Sequence, residues 1–327
     1  MTTPPAPARI LFVAANPSID RHVEVQALAV GAINRPDSLV AVPGGKGLNA
    51  ARAATLLGGR ATVVALLGGR AGDWIADRLA ATGIDVRIVR DEGTETRSCL
   101  SVLDRSTGRF TEFYEPGSSI APATWAAVEE SVRRELETQE IGLVVCSGSL
   151  PPGAPVDGYA RIVRAAREAS IAHGRAVLTV IDTHGLPLTR ALAEQPPVVK
   201  VNGAEAAEAT NQPVTGPEDA VLAARGLIAR GAGQVVVTLG SDGAVACDGS
   251  SAFRLSSPES TGRYPVGSGD AFVAGLAIAL VAGSPLAEAA RHGMAAGIAN
   301  ALEPGPGILD PHAASRLLAS VSATAIS

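Results

Sequence analysis

The sequence predicts an α/β fold. The body is a three-layer α/β/α sandwich with a mostly parallel central sheet, and it carries a small β-sheet lid. Three observations lead there. Short apolar runs of strand length alternate with Ala-rich runs of helical length over most of the 327 residues. Two patches, residues 20–42 and 95–115, break that rhythm with strand patterns alone. Hydrophobic residues make up 46% of the chain but aromatics only 3%, so the core must be built from Ala, Val, Leu and Ile.

Arg9–Ala15 is an apolar run ended by Asn16-Pro17, as in a buried parallel strand. Asp20–Val25 and Ala32–Val42 read as half-exposed strands, and Pro43–Gly47 as a glycine turn before an Ala-rich helix, Leu48–Leu57. Strand Ala61–Leu67, helix Asp73–Ala81 and strand Asp85–Val89 follow. Thr96–Leu103 and Arg109–Tyr114 form a hairpin around Asp104–Gly108. The alternation then resumes with helix Pro122–Thr138, strand Ile141–Cys146, helix Val156–His173 and strand Ala176–Ile181. Helix Leu186–Ala193, strand Pro197–Val201, helices Gly203–Thr210 and Pro217–Arg230, and strand Gln234–Leu239 come next. Gly243–Cys247 and Ser251–Leu255 read as a meander. Helices Asp270–Ala282, Pro285–Leu302 and Pro311–Val321 close the chain. The two strand-only patches most simply pair with each other. The expected division is a main body of residues 1–19, 43–94 and 116–327, and a lid of 20–42 and 95–115 that covers a site and moves.

Bulk properties narrow the function. The net charge is −5 with no basic stripe, which argues against nucleic-acid binding. Cys99, Cys146 and Cys247 are odd in number and widely spaced, and the five histidines are scattered, so neither a disulfide framework nor a zinc site is expected. Met1–Ala8 lacks the features of a signal peptide and reads as a short disordered lead; the expected setting is the cytoplasm. The apolar run 271–283 is too short to span a bilayer, so no membrane partner is expected.

Several loops at strand ends carry polar residues, each with two readings. Gly267-Ser268-Gly269-Asp270 opens an apolar helix. Its N–H groups and its carboxylate suit phosphoryl transfer, the cradle holding the phosphate and Asp270 taking a proton; it equally suits a glycine turn with a capping Asp. Asp20, just past the first strand, is either a sugar-hydroxyl acceptor or a turn residue. Gly44-Gly45-Lys46-Gly47-Leu48-Asn49 is a substrate cradle with Lys46 and Asn49 reaching in, or a helix-capping turn; it is not a Walker A loop. Arg97 is a phosphate clamp or a surface arginine. Asn202 and Glu205, three apart, are oxygen ligands for Mg²⁺ or a capping box. Thr238–Gly243 lies under a nucleotide or is a β-turn. No hydrolase elbow and no Gly-x-Gly-x-x-Gly motif is present.

In order, Asn16-Pro17-Ser18-Ile19-Asp20, Gly44–Asn49, Asn202-Gly203-Ala204-Glu205 and Gly267-Ser268-Gly269-Asp270 resemble the motifs of the ribokinase/PfkB family of carbohydrate kinases, from about Ile10 to Val321. Glu95-Thr96-Arg97, Ser149-Leu150-Pro151 and Pro265-Val266 are similar to the branch holding 1-phosphofructokinase and tagatose-6-phosphate kinase.

The resemblance implies a ribokinase-like fold and an ATP- and Mg²⁺-dependent kinase of a ketohexose phosphate. Fructose 1-phosphate, converted to fructose 1,6-bisphosphate, is the first acceptor; tagatose 6-phosphate and fructose 6-phosphate are alternatives. A free-sugar or nucleoside kinase and a non-catalytic sugar-phosphate sensor are further alternatives. The resemblance implies Asp270 as base and Gly267, Ser268 and Gly269 as an anion hole. It gives Asp20, Gly44, Gly45, Lys46 and Asn49 to the sugar and Arg97 to its phosphate. Lys200, Asn202, Thr238, Gly240, Gly243 and Asn300 would serve the nucleotide, and Asn202 and Glu205 the Mg²⁺, largely through water. It also implies a homodimer formed through the lid. His184, Val201 and Ser118 depart from the family pattern, and His184 puts the choice of sugar in doubt.

Overall fold

The structure, a computed structural model, describes residues 8–138, 140–259 and 262–326. The first seven residues of the expected lead lie outside them. Fourteen strands and ten helices are described. The strands are β1 (Arg9–Ala14), β2 (Ser18–Val25), β3 (Ser38–Gly44), β4 (Ala61–Leu67), β5 (Asp85–Arg90), β6 (Arg97–Asp104) and β7 (Arg109–Tyr114). After them come β8 (Ile141–Ser147), β9 (Leu178–Asp182), β10 (Val198–Asn202), β11 (Gln234–Thr238), β12 (Ala244–Cys247), β13 (Ala252–Ser256) and β14 (Ser322–Ile326). The helices are α1 (Lys46–Leu56), α2 (Gly69–Leu79), α3 (Pro122–Glu137), α4 (Gly158–His173), α5 (Gly185–Leu192), α6 (Gly203–Thr210), α7 (Pro217–Ala229), α8 (Ser268–Val281), α9 (Leu286–Ala301) and α10 (Pro311–Leu318).

The central sheet runs β14-β13-β12-β11-β10-β9-β8-β1-β4-β5. Its strands are parallel from β5 to β11 and antiparallel through the β12, β13 and β14 meander. Strict alternation in β1 divides the interior. Ile10, Phe12 and Ala14 enter one core, with α1, α2, α8, α9 and α10 above them. Leu11 and Val13 enter the other, with α3 to α7. Both faces are therefore covered, which is why the parallel strands read as near-continuous apolar runs. Helix α8 is apolar almost all round because it sits between α1 and α9, and small side chains let the three approach closely.

β1 pairs with β4 on one side and with β8 on the other, so the sheet grows in opposite directions from this point. The crevice outside the carboxyl ends of such strands is the usual ligand site. β2 leaves from it. A second sheet of order β3-β2-β6-β7 rises there. The two strand-only patches do pair with each other, through β2 and β6, and they pair in parallel.

Three local expectations need correction. The strand expected over residues 32–42 begins only at Ser38. The Asn34 amide bonds Ala29 at both its N–H and its carbonyl and closes a turn, and Pro36 has no N–H to offer a ladder. Pro43 and Gly44 are the last residues of β3 rather than a free turn; β3 is an edge strand, where a proline is tolerated. The final helix stops at Leu318, and the unexpected β14 adds to the meander. Its sequence, Ser-Ala-Thr-Ala-Ile, carries too little apolar character to signal a strand.

Candidate active site

Gly267 caps α8 with φ +85°, a left-handed conformation. A Cβ there would lie 2.5 Å from the Pro306 Cα, so only glycine fits. The Gly267 carbonyl receives the N–H groups of Asp270 and Ala271. The Ser268 N–H is turned onto the Pro265 carbonyl at 3.1 Å. Of the three donors expected for an anion, Ser268 N–H is therefore engaged in the turn, while those of Gly267 and Gly269 have no backbone partner among the described residues. The Ser268 hydroxyl is buried without a partner. The helix start thus presents unspent donors and a positive dipole end to the cleft.

Asp270, in that first turn, is buried. Burial pushes its carboxyl up to about 7; the buried Asp182 charge adds to the rise, while Lys46, Lys200 and a hydrogen bond from Asn49 offset part of it. The Asn49 Nδ2 donates to Asp270 Oδ2 at 2.9 Å and to Asp20 Oδ2 at 3.3 Å. Asp20 also accepts from the Ser18 hydroxyl at 2.6 Å and from the Gly45 N–H at 3.2 Å. Its carboxylate occupies the space that a Cβ on Gly44 would fill, which fixes glycine at the end of β3. Gly44 itself contributes no side chain to the cleft.

The cations sit beside this group. Lys200, buried on β10, donates to Asp182 Oδ1 at 3.1 Å, and Lys46 lies 3.7 Å from the same oxygen. Asp182 is fully buried at the end of β9 and also accepts from the Ser147 hydroxyl at 2.7 Å. Burial alone would raise its carboxyl, but Lys200, Lys46 and these hydrogen bonds outweigh it and hold it down at about 2. Asp182 is also the main reason the Lys46 ammonium is held above its ordinary range. Lys46 further bonds Glu205 Oε1 at 3.2 Å.

Asn202 and Glu205 form the capping box of α6: each side chain receives the other's backbone N–H at 2.8 Å. Both oxygens of Glu205 are therefore already used. The described residues hold no cluster of three or more His, Cys, Asp or Glu fit for direct metal ligation.

A cleft of about 800 Å³ brings most of the expected residues together. Asp20, Gly45, Lys46, Asn49, Arg97, Lys200, Asn202, Thr238, Gly240 and Gly243 all line it, together with Gly267, Ser268, Gly269 and Asp270. The Arg97 guanidinium donates to the carbonyls of Asn16 (3.1 Å) and Glu115 (3.0 Å), while its Nε is buried without a partner. Asn300 does not line the cleft. It is fully buried, its amide donating to the Val266 carbonyl and accepting from the Gly307 N–H, so it braces the turn before α8. His184 faces a separate recess of about 220 Å³ that Lys46, Arg97, Ser149 and Glu205 also line, and its ring is 3.8 Å from Glu208.

Sequence reasoning missed Asp182, Arg52 and an apolar wall of Met294 and Ile298. A carboxylate at the end of an apolar strand was the available sign for Asp182. Nothing in a helical pattern marks Arg52 as half-buried against Pro43, Pro306 and Asn49.

The chain is similar to known proteins over almost its whole length. Residues 13–313 match the pfkB family carbohydrate kinase. The chain is 34% identical over 314 residues to the 1-phosphofructokinase of Rhodobacter capsulatus, covering 96% of this chain and 97% of that protein. It is 31% identical over 297 residues to the tagatose-6-phosphate kinase of Staphylococcus epidermidis, covering 90% and 92%. The tetrameric inhibited form of phosphofructokinase-2 from Escherichia coli superposes with a TM-score of 0.83 at 30% identity, over 95% of this chain and 98% of that one. The chain belongs to the pfkB family of carbohydrate kinases, with a ribokinase-like fold.

The Asp270 environment has a consequence for stability. Its folded carboxyl titrates at about 7, above the ordinary 3.8, so the native state binds the proton more tightly than the unfolded chain. That contribution is complete below about pH 4 and is lost as pH rises through 7. Asp270→Asn should therefore fold and be more stable than the parent at pH 8, by about 2–4 kcal/mol, with the gain fading toward pH 4. Urea unfolding at both pH values measures it. An equal difference at both would rule out the raised carboxyl.

Proposed function

We propose, from that membership, that the chain transfers the γ-phosphoryl group of ATP to a hydroxyl of a phosphorylated ketohexose, with fructose 1-phosphate the first acceptor. One observation carries the reading: Asp270 is a buried carboxyl poised near neutrality, in the first turn of a helix whose opening residues Gly267, Ser268 and Gly269 line the cleft. A base is most useful when its pKa lies near the working pH. Asp270 takes the hydroxyl proton, the oxygen attacks the γ-phosphorus, and the bond to the ADP oxygen breaks. Negative charge on the equatorial oxygens meets the α8 N-terminus, Lys46 and Lys200.

Asp20 and Asn49 hold sugar hydroxyls, Gly45 contributes backbone, and Arg97, with one unspent donor, meets the acceptor's existing phosphate. Thr238, Gly240 and Gly243 support the nucleotide, whose base packs near Met294 and Ile298. Asn202 and Glu205 fit Mg²⁺ through water rather than directly, since direct ligation by Glu205 would break its bonds to Lys46 and to the Asn202 N–H. When bound, Mg²⁺ neutralises triphosphate charge. The β2, β3, β6 and β7 sheet, which supplies Asp20 and Arg97, acts as a lid. Its exposed Leu39 and Phe113 support pairing with the lid of a second copy. No described helix is long and apolar enough to cross a membrane.

ADP release across fructose 1-phosphate, fructose 6-phosphate, tagatose 6-phosphate, ribose, fructose and adenosine should be fastest with a ketohexose phosphate. Asp270→Asn should lower that turnover by about 10²- to 10⁴-fold; near-parental turnover would remove Asp270 from its role. Binding of a sugar phosphate without turnover on any acceptor would point to a sensor instead. Arg97→Ala should cut kcat/KM by about 10- to 100-fold for the phosphorylated acceptor and far less for free fructose. Equal losses on both would mean that Arg97 does not read a phosphate.

A further inference from the structure

Arg52 lies on α1, one turn after Asn49, and is half-buried. Its Nη1 donates to the Pro306 carbonyl at 2.6 Å and to Asn49 Oδ1 at 3.3 Å, and its Nη2 donates to the Pro43 carbonyl. Pro43 is the next-to-last residue of β3 in the small sheet, and Pro306 backs the Gly267 turn. Asn49 thus accepts from a cation on one side and donates to two carboxylates, Asp20 and Asp270, on the other.

An amide can be turned end for end with little change in shape, so only its neighbours decide which end faces Asp270. Here a turned Asn49 would aim its oxygen at two carboxylates and its NH₂ at a guanidinium, and all three contacts would become repulsive. We propose that Arg52 is a positioning residue for phosphoryl transfer: it fixes the orientation of Asn49, and through Asn49 it holds Asp270 and Asp20 in their working arrangement. This rests on Asp270 being the base.

The charged groups around Asp270 come from four elements: Asp20 on β2, Lys46 and Arg52 on α1, Asp182 at the end of β9 and Lys200 on β10. Removing Arg52 takes away one cation and releases the amide, and both changes favour the protonated carboxyl. The acid limb of the kcat profile should therefore move to higher pH.

The test is a double-mutant cycle of Arg52→Met and Asn49→Ala, with kcat followed from pH 5.5 to 9.5 on the best acceptor. Arg52→Met in the parent should lower kcat at pH 7 by about 10- to 100-fold and move the acid limb upward. In the Asn49→Ala background the same change should cost less than about threefold, because the group it acts through is gone. A brace that only supports Pro43 and Pro306 would cost the same in both backgrounds, and multiplicative losses would overturn the proposal. So would an unmoved limb in Arg52→Met. If Arg52→Met does not fold, Arg52→Lys takes its place, since a lysine has one nitrogen where Arg52 reaches its acceptors through two; its cost should also vanish without Asn49. Failure of the base assignment would look different, with Asp270→Asn keeping turnover and the parent showing no acid limb attributable to it.

Discussion

Asp182 is buried completely, with Lys200 3.1 Å away and Lys46 3.7 Å away on the same oxygen. A carboxylate so far from water is costly unless it is paired and hydrogen-bonded, and here two ammonium groups and the Ser147 hydroxyl do both. The consequence reaches the whole cleft floor. Asp182 anchors the two lysines that flank the helix start, while its own charge helps to keep Asp270 from ionising too easily. Two buried aspartates that share Lys46 and Lys200 as neighbours are thereby driven apart, one to about 2 and the other to about 7. The first stays an ion and the second can exchange a proton near neutrality.

The backbone makes this arrangement available. The sheet switches direction at β1, so the ends of β8, β9 and β10 and the starts of α1 and α8 converge on one crevice. The small sheet grows from the same place and brings Asp20 and Arg97 to it on β2 and β6. Arg52 and Asn300, neither of them on the cleft surface, tie the turns around Gly267 to the rest. At Gly44 and Gly267 the chain makes room for a carboxylate and for another turn.

Much of this was legible in the sequence because periodicity and turn chemistry are local. The β1, β4 and β8 runs, the Ala-rich α1 and the two strand-only patches all declare themselves within ten residues or so. So does the Asn202–Glu205 spacing, for which the structure forms the capping box. What local pattern could not supply was pairing across the fold. Asn300 reads as a polar residue near the end of a helix, yet its amide is spent on Val266 and Gly307. Arg52 reads as an ordinary helical arginine, yet its guanidinium is spent on Asn49, Pro306 and Pro43. Asp182 gains its importance only from Lys46 and Lys200, which lie far away in sequence. β14 was missed because its small side chains carry almost no hydrophobic signal, and pairing with β13 alone makes it a strand.

The account stands on one carboxyl held near neutrality at the head of α8. Carbon-13 titration of the aspartate carboxyl groups, in the intact chain and in Asp270→Asn, observes it directly. The account predicts one aspartate signal with a midpoint of about 7 that disappears in the variant. An intact protein whose aspartates all titrate below about pH 5 would contradict it.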